Sequence, residues 1–146
     1  MPGIVVGVDG SEHSQRSLEW AMKEAAIRRT PLTVLAVHPV AMSAWTQTPI
    51  SYPEDEAQEA AVRAAAQESA DKAAAPLGEH APAVTVRSVS GSPAAELIKA
   101  GTGADLLVVG ARGNGGFARL LMGSVSAQVT HHAPCPVVVV RGEAHI

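Results

Sequence analysis

The stretch Ile4-Val5-Val6-Gly7-Val8-Asp9-Gly10-Ser11 decides how the chain is read. A short, continuous, β-branched run that stops at a turn is how a strand buried on both faces reads, and such strands belong to parallel sheets covered by helices. With Ser11 or Ser14 as N-cap, Leu18, Ala21, Met22 and Ala25 then recur at spacings of three and four, one apolar stripe on a helix. That helix is expected to end near Arg28-Arg29, where cations suit the helix dipole, before Pro31.

The same alternation runs through the rest of the chain. Leu32 to Val37 is a second apolar run, closed by His38-Pro39, where the proline removes a donor and biases His38 toward extended backbone. Val40 to Pro53 has no clear period and reads as a surface loop. Glu54-Asp55-Glu56 opens an alanine-rich helix that runs to about Ala75, where Pro76-Leu77-Gly78 stops it. Val84 to Val89 alternates more than the other runs, which predicts a strand nearer the sheet edge. Ser92-Pro93 starts a short helix that ends at Gly101; Asp105 to Gly110 is a fourth strand, Ser124 to His132 a helix, and Pro136 to Val140 a fifth strand. The tail from Arg141 is expected to be ragged. Five apolar strands separated by helical segments predict one α/β domain over residues 1–146, a three-layer α/β/α sandwich with a mainly parallel sheet and right-handed crossovers. Ligands of such sheets sit beyond the carboxyl ends of strands where the strand order reverses, here after strands one, two and four.

Composition narrows the function classes. At 146 residues the chain suits a single core hiding roughly 68–70% of its unfolded surface. Hydrophobic residues are 47% and aromatics only 3%, so Val, Ile, Leu and Ala must fill that core. A net charge of -3 supplies no basic field of the kind that holds nucleic acid. One cysteine leaves no disulfide framework, and neither a signal peptide nor a membrane-spanning run is visible, so a cytoplasmic protein is expected.

Chemistry concentrates between Gly110 and Ser126. The segment Gly110-Ala111-Arg112-Gly113-Asn114-Gly115-Gly116 through Gly123-Ser124-Val125-Ser126 leaves a strand and enters a helix. Its glycines admit a ligand close to the backbone, the N–H groups from Gly123 onward face an anion, Ser124 and Ser126 add hydroxyl donors, and Arg112 and Arg119 add charge. A phosphate group suits all of these, although a glycine-rich loop ending in a serine N-cap fits the same composition. The lysine of a Walker loop is missing, since Ser124 follows Gly123, and no acidic residue stands where a dinucleotide fingerprint requires one. His131-His132 with Cys135 invites a zinc site, but adjacent helical histidines diverge by about 100 degrees, and no metal site is expected. Glu54, Asp55, Glu56 and Glu59 read as a solvated helix face.

At these residues the chain resembles the universal stress protein family, in its UspA-like, nucleotide-binding branch. Members of that branch carry glycine, two residues, glycine, nine residues, then glycine followed by serine or threonine, which Gly110, Gly113, Gly123 and Ser124 match. The family's opening strand into an aspartate is matched by Ile4 to Asp9, and its proline-flanked last strand by Ala133 to Val140. The resemblance implies a five-stranded parallel sheet of order 3-2-1-4-5, Rossmann-like and similar to the adenine nucleotide α-hydrolases. It also implies ATP after strands one and four, with Asp9 beside the nucleoside, backbone at Val37 against the base, and Gly110, Arg112, Gly113, Gly123, Ser124, Val125 and Ser126 around the phosphates. A homodimer through Val137 to Val140 is implied as well.

The expectation is an ATP-binding regulatory module of the stress response, with Mg²⁺ supplying the charge that lysine does not, and no catalytic residue. Cyclic AMP or AMP is the alternative within the binding class, since the loop specifies phosphate better than phosphate number. An enzyme of the ATP α-hydrolase type is the alternative of another class; it calls for more glycines after strand one than Asp9-Gly10-Ser11 offers.

Overall fold

The computed structural model describes residues 3–38, 54–111 and 124–141. The expected surface loop from Val40 to Pro53 and the glycine-rich segment from Arg112 to Gly123 lie outside the described residues, as does the tail beyond Arg141.

The run that opens the chain forms β1, Ile4–Val8, whose first four residues are buried. It leads into α1, Glu12–Arg28, capped by Ser11, whose side chain accepts from the Ser14 N–H. The helix ends where Arg29 turns left-handed at φ 55°, its N–H reaching back to the Ala25 and Ala26 carbonyls. Then follow β2, Leu32–His38, and α2, Glu54–Ala74. Beyond α2 the chain adds a 3-10 turn, Ala75–His80, broken at Gly78 with φ 55°. Thus Pro76 and Gly78 end the α-helix where the sequence expects, but the backbone tightens before it leaves, a usual way to satisfy last-turn carbonyls. The remaining elements are β3 Val84–Ser90, α3 Pro93–Ala100, β4 Leu106–Gly110, α4 Ser124–His132 and β5 Val137–Val140.

All four strand pairings are parallel, in the order β3-β2-β1-β4-β5. Because side chains alternate along each strand, the sheet makes two cores. On one face Ile4, Val6, Leu32, Val34, Leu106 and Val108 meet Leu18, Ala21, Met22 and Ala25 of α1 and Ala66, Ala70 and Ala73 of α2. On the other, Val5, Leu35, Leu107 and Val109 meet Ala94 and Leu97 of α3 and Val129 of α4. This is the α/β three-layer sandwich the alternation predicts, each fully buried Leu or Ile contributing about 1.5–3 kcal/mol.

The small residues have a reason. Alanines on α2 let a helix with few large side chains lie close to the sheet. Gly7 makes room for α3, since a Cβ there would sit 2.7 Å from Leu97 Cδ2. The two edge strands differ. β3 alternates as expected, while β5, all valine, has every residue only partly buried.

Candidate functional site

The strand order reverses at β1, which has β2 on one side and β4 on the other. Consecutive connections therefore part at its carboxyl end, and the sheet opens a crevice there. The register says which residues share it. Val8 stands opposite Ala36, and Val6 opposite Val108. Continued by one residue on the first side and three on the second, Asp9 falls beside Val37 and Ala111, with strands about 4.8 Å apart. Asp9, Val37 and Gly110, named from the sequence, are thus neighbours at one end of the sheet although more than a hundred positions separate the first from the last.

Local chemistry fixes how the chain leaves β1. The Ser11 N–H donates to Asp9 Oδ1 at 2.9 Å, and the Ser11 hydroxyl donates to the same oxygen. The Asp9 N–H donates to Ser14 Oγ at 3.2 Å, while the Ser14 hydroxyl donates to the Ser11 carbonyl at 3.1 Å. Ser11 is therefore the N-cap, and Ser14, the other candidate, ties the turn from below with 7% exposure. Gly10 supplies the left-handed corner at φ 84°, and a Cβ built on it would have no atom within 4 Å. The backbone and one carboxylate oxygen of Asp9 are held in this way at the carboxyl end of β1.

The second wall is built where β4 ends and α4 begins. Gly110 pairs with Val140 of β5, and the Ala111 N–H donates to the Val140 carbonyl at 2.9 Å. The buried Ser126 hydroxyl, in the first turn of α4, donates to the Ala111 carbonyl at 3.1 Å. A hydroxyl has a single proton to give. The proton of the Ser126 hydroxyl is directed here at the Ala111 carbonyl, fifteen residues back in the chain. Ser124 is exposed and Val125 half-buried; the N–H groups of an opening helical turn have no intrahelical partners and carry the positive end of the dipole. The donors here are therefore of the kind an anion takes. Arg112, Gly113 and Gly123 lie outside the described residues.

Away from this crevice, His131 and His132 stand edge to face, ring centroids 4.9 Å apart and planes at 85°. Cys135 is partly buried, and desolvation raises its thiol above the ordinary value. Among the described residues no cluster of three or more His, Cys, Asp or Glu side chains is placed to hold a metal ion. No described helix is long and apolar enough to cross a membrane. Sequence reasoning passed over two contributors, Ser14 as a brace for Asp9 and Ala111 as the peptide held from both sides. The Asp-Gly-Ser-x-x-Ser spacing carries the first signal; nothing local carries the second.

Known proteins resemble the chain in both sequence and fold. A universal stress protein of Mycolicibacterium smegmatis is 37% identical over 142 residues, covering 97% of this chain and 48% of the relative. The chain thus spans about half the length of the curated relatives it matches. Among solved structures, the universal stress protein UspA from Lactobacillus plantarum superposes with a TM-score of 0.76 at 26% identity, covering 96% of this chain and 97% of that one. A universal stress protein crystallised in complex with cAMP gives 0.67 at 29% identity, with 96% of each chain covered. The family model described as Universal stress protein family matches residues 2–141. By its strand order, by these relatives and by that match over nearly its whole length, the chain belongs to the universal stress protein family.

Proposed function

We propose that this protein binds an adenine nucleotide in the crevice beyond β1, β2 and β4, and that occupancy makes it a regulatory module of the stress response rather than an enzyme. The observation that carries this reading is the juxtaposition at the point of strand-order reversal. Asp9, braced by Ser11, lies at the same end of the sheet as Gly110, from which the sequence runs on as Gly110-x2-Gly113-x9-Gly123-Ser124 into α4. Asp9 meets the nucleoside and the Val37 backbone meets the base. Gly110, Arg112, Gly113, Gly123, Ser124, Val125 and the Ser126 N–H surround the phosphates. ATP with Mg²⁺ is the leading ligand, since a triphosphate lying along the loop would need charge that no lysine provides. Cyclic AMP is the second reading, favoured by the relative whose structure holds it. Among the described residues no side chain is assigned to activate water, so any ATP turnover in this reading is slow and is not the main function.

Residues 1–146 act as one domain in this reading, located in the cytoplasm, and two copies pair through β5. The half-exposed valines of that edge strand support the pairing, as does a relative about twice the length of this chain. Sedimentation velocity across a hundred-fold range of concentration tests it; a monomer throughout would remove the dimer.

Calorimetric titration of the nucleotide-stripped protein with Mg-ATP, AMP and cyclic AMP tests the ligand, with Gly123→Val as the site control. Near-stoichiometric binding lost in the variant, without loss of fold, is expected. Silence from all three nucleotides, or equal affinity in Gly123→Val, would overturn the reading.

A further inference from the structure

The Ala111 peptide is the point where three elements meet. It is the first residue beyond β4 and is 6% exposed. Its N–H is bound to the Val140 carbonyl at 2.9 Å, on β5, and its carbonyl is bound by the Ser126 hydroxyl at 3.1 Å, on α4. Ser126 is itself 2% exposed, fifteen residues further along. Its own carbonyl accepts from the Thr130 hydroxyl at 2.9 Å, and Val129, on the same helix, is fully buried in the second core. Among the described residues, the Ser126 side chain thus ties the opening turn of α4 directly to the end of β4.

We propose that Ser126 is a positioning residue for the nucleotide site: its buried hydroxyl sets the spacing between the end of β4 and the N-terminus of α4, and so acts on the phosphates without touching them. This rests on the nucleotide reading for its ligand, but not for its structural half. An anion gripped between a strand end and a helix start is bound by backbone donors, whose strength falls steeply as distance and angle depart from the optimum. Fixing those donors before the ligand arrives removes an ordering cost from binding. Replacing the hydroxyl would leave the Ala111 carbonyl buried and unpaired, and the helix start free to shift away from it. The nucleoside side of the crevice, held by the Asp9, Ser11 and Ser14 network, has no part in that bond.

The experiment compares the full chain with Ser126→Ala in amide-resolved spectra, reading hydrogen exchange at Ala111 without ligand and then titrating ATP and adenosine. Ala111 exchange is expected to quicken about ten-fold, and ATP to bind about ten-fold more weakly, as for loss of one buried hydrogen bond. Adenosine should bind within about two-fold of wild type, because only the phosphate wall has been loosened. Parallel loss for ATP and adenosine would mean a general structural role and would overturn the proposal, as would unchanged ATP affinity. Should wild type bind neither compound, the nucleotide reading fails on its own. The exchange rate at Ala111 then decides whether Ser126 sets the spacing, and an unchanged rate refutes it.

Discussion

Gly7 is buried in β1, in the middle of the sheet, and its missing side chain is where α3 comes down. A Cβ at Gly7 would lie 2.7 Å from Leu97 Cδ2 and 3.1 Å from Cδ1, against an optimum of about 3.5–4.0 Å between carbons. Leu97 is 5% exposed and enclosed by the second core, so it has little room to retreat. Gly7→Ala should therefore cost about 1–3 kcal/mol of overpacking. Relief of glycine's backbone entropy returns about 0.5–1 kcal/mol, for a net loss of up to about 2.5 kcal/mol. Leu97→Ala alone should cost about 2–5 kcal/mol, being a transfer loss plus a cavity. In the double variant the new methyl enters the space Leu97 has vacated, so the clash vanishes and part of the cavity fills. The two changes should then fall short of additivity by about 1–3 kcal/mol. Urea unfolding followed by far-ultraviolet circular dichroism, on all four corners of the cycle, measures this. Additivity within about 0.5 kcal/mol, or a Gly7→Ala protein more stable than wild type, would refute the argument that α3 is seated on Gly7.

Ser11→Ala removes the α1 cap and the hydroxyl bond to Asp9, while the Ser11 N–H bond to the same carboxylate oxygen stays. It should lower unfolding stability by about 1–2 kcal/mol in the same urea assay, and an effect under a few tenths would count against the cap. The Cys135 thiol, raised by desolvation, should react with iodoacetamide at pH 8 more slowly than in the urea-unfolded chain; equal rates would contradict its burial. The sign for stability follows from the same shift. The unfolded thiol ionises near 9.0 and the folded one higher, so above that pH the unfolded chain holds fewer protons and stability falls as pH rises. A Cys135→Ser variant should lose that part of the decline.

Much of the architecture could be read from local patterns because the patterns were local in cause. The apolar runs at Ile4, Leu32 and Leu106 are buried because strands in the middle of a parallel sheet meet helices on both faces. The alternation of Val84 to Val89 became an edge strand for the same reason in reverse. The four valines of β5 misdirect, since composition alone makes them a central strand, yet their place is the other edge. Which strand lies outermost is decided by crossovers and not by side chains. The site divides likewise. Asp9-Gly10-Ser11 carries its turn in three adjacent residues, so its geometry was legible. The Ser126 to Ala111 bond joins residues fifteen apart through a side-chain proton, and a serine in a helical first turn gives no sign of which acceptor it will choose.

The position of β1 shapes the way the molecule can assemble. It precedes every other strand in the chain and yet stands in the middle of the sheet, pairing with β2 near in sequence and with β4 a hundred residues later. During synthesis β1, β2 and β3 can join while one side of β1 still has no partner, leaving a row of unpaired backbone groups on an apolar strand until Leu106 to Gly110 emerges. Closing that seam demands a long loop before any contact rewards it, which slows folding and exposes the nascent chain to edge-to-edge association. The completion of the β1–β4 seam is thus the step at which a chaperone would have most to protect, and it is the same step that first creates the crevice beyond β1.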